Sequence, residues 1–225
     1  MNWPQFWQYT WFNAYLGIVP ALAGLVISVP VGIVCVRWRP LYAPVLSATS
    51  VIYAIPSLAL FVVLIDYTGL GNLTVIIPLT LFSLCVLVPN VVDGLRSVPE
   101  PVRQAATAMG FGATRRLVQV ELPLAVPIVI AGLRVAVVSS ISLASVGGLI
   151  GVNSLGYFFI DGLQRDFMQE IYSAIIAVIV LALVCDLLLV GLRRLLTPWS
   201  RSRRDKAVID AEGAQLLREG TGVGR

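Results

Sequence analysis

The chain has 225 residues, of which 58% are hydrophobic and only 12% are charged. Soluble domains carry roughly 25% charged residues, so this composition excludes an ordinary soluble globular protein. The net charge is +4, and 15 of the 16 basic residues are arginine. In a soluble chain this excess of arginine would suggest nucleic-acid binding. In a membrane protein, the positions of the basic residues indicate which loops are cytoplasmic, so no nucleic-acid partner is expected.

Long apolar runs predict an all-α integral membrane protein with a transmembrane domain over residues 1–200. A helix needs about 20 apolar residues to cross roughly 30 Å of hydrocarbon, because backbone groups in lipid must pair within the segment. A sixth span over residues 147–160 is possible, but four glycines and Asn153 favour a re-entrant or surface-lying outer segment. The five predicted spans cover residues 14–36, 44–65, 72–92, 123–147 and 171–192.

The basic residues predict the orientation of these spans. Fourteen of them follow the first, third and fifth spans, whereas the alternate connections hold only Arg165 against four acidic residues. By the positive-inside rule, the N-terminus is outside and the C-terminus is cytoplasmic. Residues 201–225 are then a polar cytoplasmic tail, and an outer aromatic belt is predicted at Trp3, Trp7, Tyr9 and Trp11.

The three cysteines suggest neither a disulfide framework nor a metal site. Cys35, Cys85 and Cys185 each lie inside an apolar run, and no CxxC spacing is present. We therefore interpret them as packing residues, and no metal ligand is assigned.

The loop between the third and fourth spans, residues 93–122, is predicted to contain a short amphipathic helix. Pro99 and Pro101 suit its first turn, and Gly110 suits its end. This helix could lie on lipid headgroups or bind a protein, and the protein is favoured because two alanines bury little apolar area in a membrane. Its apolar face, at i, i+3, i+4 and i+7, consists of Val102, Ala105, Ala106 and Met109.

The same loop resembles the cytoplasmic EAA loop of binding-protein-dependent ABC importer permeases. That pattern is Glu-Ala-Ala, three residues, Gly, nine residues, Ile, one residue and Leu-Pro. Here it reads Gln104-Ala105-Ala106, TAM, Gly110, FGATRRLVQ, Val120, Glu121 and Leu122-Pro123. The resemblance implies a coupling helix that docks on a cytoplasmic ATPase, with an amide in place of the usual carboxylate at position 104. The residues that it assigns to ATPase coupling are Val102, Gln104, Ala105, Ala106, Met109, Gly110, Leu122 and Pro123.

The resemblance extends over residues 14–200 and favours the branch that imports glycine betaine, choline, carnitine or proline. It is carried by YAIPSLALFVVL, ELPLAVPIVIAGLR and LIGVNSLGYFFIDGLQ. It implies a small type I ABC importer permease in the bacterial cytoplasmic membrane. The implied partners are an ATPase dimer, a second permease subunit of the same or a related chain, and an extracytoplasmic substrate-binding protein. Methionine, or another small solute of the same superfamily, is the alternative substrate.

A translocation path is expected along the second to fifth spans. A quaternary ammonium solute favours aromatic faces through cation–π attraction. The candidate path residues are Tyr53, Pro56, Ser57, Asn153 and Tyr157.

Arg134 and Asp186 are the ionisable residues placed most clearly inside predicted spans. An unpaired charge there costs at least roughly 2.5–3.5 kcal/mol, so the two side chains are expected to pair. The pair is interpreted either as a structural salt bridge or as a charged element of an inner gate.

Energy for transport has to come from another chain. There is no GxxxxGK[ST] phosphate-binding motif, and Lys206 is the only lysine. This chain is therefore expected to be no enzyme and to hold no cofactor, with ATP and magnesium bound by the ATPase. A secondary transporter would use intramembrane carboxylates and inverted repeats, and a membrane scaffold is a further alternative.

Overall fold

A computed structural model describes residues 2–197, and every regular element within that range is helical. Short 3₁₀ turns cover Arg39–Leu41 and Gly147–Ile150, and a π-helical turn covers Leu117–Glu121. The predicted tail, 201–225, lies outside the described residues. The α-helices are α1 Trp3–Arg37, α2 Tyr42–Ala54, α3 Ser57–Thr68, α4 Asn72–Arg96, α5 Glu100–Ala108, α6 Ala113–Arg116, α7 Leu122–Val146, α8 Tyr157–Gln164 and α9 Met168–Leu196.

Four helical stretches in the described part are long and apolar enough to cross a membrane. They are α1, α4, α9 and the continuous stretch 113–150 that contains α6 and α7. Helices α2 and α3 make a fifth if they count as one broken span. The all-helical membrane fold is therefore confirmed. Residues 147–160 form no sixth span, because they hold only a 3₁₀ turn, a loop and the start of the eight-residue α8.

The span predicted over residues 44–65 is broken in the structure. The chain breaks between Ala54 and Ser57, and α2 and α3 meet at an angle of 89°. Pro56 has no N–H, and its ring excludes the helical conformation at the preceding residue, so Ile55 is extended at φ −72°, ψ 128°. The prolines inside α1, α4 and α7 do not break those helices, which pack against each other.

Helix α1 begins eleven residues before the predicted span, at Trp3 rather than residue 14. Trp3, Trp7 and Trp11 are exposed, as expected of an interfacial belt. Tyr9 is an exception, because its ring packs edge-on against Tyr157 with centroids 5.3 Å apart. Tyr9 therefore belongs to the packing of the outer segment and not to the belt.

The centre of the bundle is formed by α1, α4 and α7, which contact one another along most of their lengths. Gly24 and Gly32 of α1 lie directly against Ser83 and Val91 of α4, where an added Cβ would come within 2.5–2.7 Å of a side-chain atom. Small residues at such crossings allow two membrane helices to approach closely. Helix α9 packs on α7, and α2 and α3 pack on α4.

A buried asparagine holds the outer end of the bundle together. Asn13 of α1 donates its amide to the carbonyl oxygen of Ile141 at 3.1 Å. Its side-chain oxygen accepts from Ser145 Oγ at 3.3 Å and from the Leu155 N–H at 3.4 Å. One side chain thus joins α1, α7 and the outer segment, and it pairs buried polar groups that would otherwise be costly. No motif in the sequence identified Asn13.

Arg134 of α7 and Asp186 of α9 form a bidentate ion pair. Arg134 Nε and Nη2 each donate to one carboxylate oxygen of Asp186, both at 2.7 Å. Parallel guanidinium–carboxylate hydrogen bonds fix geometry as well as charge. The pair links the edge helix α9 to the centre of the bundle.

We expect Gly156→Ala to destabilise the fold, because the added Cβ would overlap the carbonyl oxygen of Ser145. Overpacking of this kind costs about 1–3 kcal/mol and should lower the melting temperature of the detergent-solubilised protein. Gly71→Ala is the matched control, since no atom lies within 4 Å of its added Cβ. Equal melting temperatures for the two variants would contradict the close approach.

Asp186→Asn should lower both the yield and the melting temperature of the protein in lipid nanodiscs. The substitution leaves Arg134 without a counter-charge inside a span, which costs about 2.5–3.5 kcal/mol. Adding Arg134→Gln should restore part of the loss, because no unpaired charge remains. A double variant whose loss equals the sum of the two single losses would show that the ions do not stabilise each other.

Candidate functional site

Helix α5 is the short helix expected in the loop between α4 and α7. It begins at Glu100 after the extended residue Pro99. At its end, the Gly110 N–H donates to Thr107 O at 3.0 Å and the Phe111 N–H donates to Ala106 O at 3.1 Å. This pair of bonds requires a left-handed residue at position 110, and Gly110 adopts φ +81°. The glycine of the motif therefore ends α5 at a defined residue.

The exposed side of α5 differs from the predicted apolar face. Ala106 is 1% exposed, because it is turned toward the rest of the chain, and it is not accessible to a partner. This corrects the expectation that Ala106 contacts the ATPase. Met109 is 69% exposed, and Val102 lies at the edge of the exposed side. The other exposed residues of α5 are Glu100, Pro101, Gln104, Ala105, Thr107 and Ala108.

Leu122 and Pro123 help to start α7 rather than extend the exposed surface of α5. Leu122 is partly buried against a cluster that contains Leu95 and Ala125. Pro123 cannot donate to the carbonyl four residues before it, and the turn that precedes it is widened to a π-helix at Leu117–Glu121. The Leu-Pro part of the motif thus determines how the loop enters the transmembrane helix.

A partly buried ion-pair network, which was not predicted from the sequence, holds α5 to the bundle. Glu121 Oε1 accepts from Arg116 Nε at 2.9 Å and lies 3.8 Å from Arg103 Nε. Arg103 Nη2 also donates to the Leu95 carbonyl at the end of α4, at 2.7 Å. Arg116 Nη1 donates to Thr107 Oγ1 at 2.9 Å. The carboxylate therefore joins α5 and α6 to the start of α7.

Only the spacing of charges within the loop could have indicated this network. Glu121 is the last residue of the π-helical turn, and its side chain is only 9% exposed. A buried carboxylate must be paired, so an acidic residue just before a transmembrane helix, with arginines upstream, is a recognisable signal. Beside the network lies a polar cavity of about 410 Å³, lined by Glu100, Arg103, Gln104, Thr107, Ala108 and Arg116.

The candidate path residues of span two lie at the break between α2 and α3. Tyr53 is 52% exposed, and its ring contacts Phe82 of α4 at a centroid distance of 5.8 Å. Pro56 is exposed and Ser57 is half-buried. Most other side chains of α2 and α3 are apolar and either exposed or half-buried, and only Thr49 and Phe61 are buried. The break therefore lies on an apolar surface that the described part of the chain leaves uncovered.

The two outer candidates belong to a different part of the structure. Tyr157 packs against Tyr9 and Phe158, and its hydroxyl donates to Asp161 at 3.5 Å. Asn153 is exposed in the loop before α8. Tyr53 and Tyr157 thus stand in separate aromatic groups, and the described residues of one chain do not assemble these two rings into a cage. What does join α3 to the outer segment is the apolar cluster that contains Phe61 and Val152.

The match to a known protein family covers nearly the whole transmembrane domain. The family of binding-protein-dependent transport system inner membrane components matches residues 6–202. The osmoprotectant import permease protein OsmW of Salmonella typhimurium is 34% identical over 191 residues, which are 82% of this chain and 89% of that protein. The choline transport system permease protein OpuBD of Bacillus subtilis is 36% identical over 183 residues, or 81% of each chain.

Solved structures show the same fold. A permease chain in an inward-facing structure of the MetNI methionine ABC transporter matches with a TM-score of 0.75 at 22% identity, over 88% of this chain and 100% of that one. A chain of an amino acid ABC transporter matches with a TM-score of 0.60 at 17% identity, over 85% and 92% of the two chains. The helical bundle, the EAA-type loop and the family match agree, and the chain belongs to the binding-protein-dependent transport system inner membrane components, the permease subunits of ABC importers.

Proposed function

We propose that this permease subunit moves a compatible solute of the glycine betaine and choline type, driven by a separate cytoplasmic ATPase that binds to α5. Helix α5 is the observation that supports coupling to an ATPase. It is a nine-residue helix outside the long helices, and Arg103 and Glu121 attach it to α4 and to the start of α7. Its other side carries small residues that are exposed. ATP, magnesium and hydrolysis would then belong to the partner chain.

Small side chains suit α5 to docking in a groove. Ala105 and Ala108 lie on its exposed side, so the backbone of a partner could come close to the helix axis. Gln104 is exposed beside them and offers an amide that can donate and accept hydrogen bonds. This supports contact with a protein surface over lipid, because alanines contribute little membrane affinity.

The break between α2 and α3 supports a second permease subunit. Backbone groups at a helix break cannot all pair within the segment, and hydrocarbon provides no partner for them. The backbone groups at the break, between Tyr53 and Ser57, therefore require protein or a water-filled path in the membrane. Two permease subunits that meet across a shared path would provide both, and an outer substrate-binding protein would deliver the solute to it.

The solute class is supported by the names of the relatives, which include osmoprotectant, glycine betaine, carnitine and choline permeases at 31–36% identity. Quaternary ammonium groups bind aromatic faces, with about 0.5–2 kcal/mol per contact. Tyr53 has an exposed ring at the break and is the aromatic residue that we propose for such a contact.

Ala105→Arg should prevent co-purification of the ATPase with this chain, because the long charged side chain would separate the two surfaces at the exposed side of α5. The measurement is the amount of ATPase retained on an affinity tag carried by this chain. Ala113→Arg is the matched control: it adds the same side chain at an exposed alanine of the same loop, outside α5. If the Ala105→Arg variant retains the ATPase, α5 is not the docking site.

Deletion of the gene should abolish uptake of labelled glycine betaine or choline by salt-stressed cells. Uptake should return with the wild-type gene and not with the Ala105→Arg variant. Parallel assays with carnitine, proline and methionine define the specificity. If the deletion abolishes methionine uptake and leaves osmolyte uptake unchanged, the chain is still a permease subunit, but the proposed solute class is wrong.

A further inference from the structure

The carboxylate of Glu121 lies between two guanidinium groups but is hydrogen-bonded to only one of them. Its Oε1 accepts from Arg116 Nε at 2.9 Å, whereas Arg103 Nε is 3.8 Å from the same oxygen. In the described part of the chain, this Arg103 Nε is buried and has no hydrogen-bond acceptor. A buried N–H without an acceptor is unfavourable, so Arg103 Nε gains stability if an acceptor comes within hydrogen-bond range.

The two arginines are tied to different parts of the loop. Arg103 belongs to α5, and its Nη2 is bonded to the Leu95 carbonyl at the end of α4. Arg116 belongs to α6, and its Nη1 is bonded to Thr107 of α5. Since a good N–H···O distance is about 2.9 Å, an approach of only about 1 Å would bring Glu121 into hydrogen-bond range of Arg103.

We propose that Glu121 is a positioning residue that exchanges its hydrogen bond between Arg116 and Arg103 when the ATPase displaces α5, and that this exchange moves the start of α7. The inference rests on the proposed docking of an ATPase at α5. A buried carboxylate does not stay unpaired, so when displacement of α5 changes its distance to the two guanidinium groups, its hydrogen bond passes to the nearer one. Glu121 lies within the continuous helical stretch 113–150, so its displacement moves the base of that span.

The test uses the importer complex purified through a tag on this chain and reconstituted in nanodiscs. The natural cysteines Cys35, Cys85 and Cys185 are replaced by alanine, and Ser57→Cys carries an environment-sensitive fluorophore at the break between α2 and α3. The measured quantity is the fluorescence change on addition of ATP and magnesium, together with the amount of bound ATPase and its hydrolysis rate. None of these readouts needs the solute.

Glu121→Gln should reduce the fluorescence change about tenfold while the ATPase stays bound and hydrolyses ATP. Arg103→Lys should have a similar effect, because lysine keeps the charge but has a single nitrogen, which cannot hold the Leu95 carbonyl and donate to Glu121 as the guanidinium does. The double variant should be no worse than either single one, since both act on one exchange. The matched control is Arg115→Gln, which removes an exposed arginine of the same loop that is bonded to Gln119, and it should leave the change as in the wild type.

Three results would overturn the proposal, and each points to a different reason for its failure. A wild-type fluorescence change in both Glu121→Gln and Arg103→Lys would show that no exchange is needed. Loss of bound ATPase in Glu121→Gln alone would show that the carboxylate only holds the docking surface in place. Absence of bound ATPase in the wild type would overturn the proposed function, and the exchange with it.

Discussion

Backbone N–H and C=O groups within a lipid bilayer must be hydrogen-bonded by protein or by water, and the architecture of this permease depends on that constraint. The four continuous spanning stretches pair their backbone groups internally, even where α1, α4 and α7 contain prolines. The exception is the 89° break at Pro56. That break lies on a surface that the described helices leave largely uncovered, and the proposed second subunit or a water-filled path would supply the hydrogen bonds that its backbone groups need.

Polar side chains link the helical stretch 113–150 to other helices at several levels along its length. At the N-terminal base of the stretch, Glu121 pairs with Arg116 of the same stretch and lies 3.8 Å from Arg103 of α5. Further along, Arg134 pairs with Asp186 of α9, and at the outer end Asn13 of α1 bonds to Ile141 and Ser145. At 1.5 Å per residue, these links lie about 20 Å and 30–36 Å from Glu121 along the axis. Helix α7 is therefore attached to its neighbours at both ends and in the middle.

This distribution places α7 between α5, the proposed docking helix, and the outer segment. Helix α5 contacts the base of α7 through charged side chains, whereas the outer segment contacts α7 through Asn13 and the close approach of Gly156 to Ser145. Apolar membrane contacts are broad and weakly directional, but hydrogen bonds and ion pairs have defined geometries. A displacement at the base of α7 would thus reach defined partners at the other end.

The amino-acid sequence by itself determined the class of the protein. Charge-free runs of 26 residues or more require membrane helices, and the spacing from Gln104 to Pro123 identifies the loop that the family match supports. Gly110 and Pro99 defined the ends of α5 because turn geometry depends on local backbone preferences. These features are local, so they can be derived from residues that are close in the chain.

The tertiary structure alone decided which residues of that loop face a partner. Helical periodicity places Ala106 on the apolar face of α5, but in the structure, where Arg103 is bonded to the Leu95 carbonyl, Ala106 is buried. The same holds for Asn13, whose three partners lie more than 120 residues away in the chain, and for the separation of Tyr53 from Tyr157. Periodicity defines the faces of a helix, but long-range contacts decide which face is buried, and those contacts exist only once the bundle has assembled.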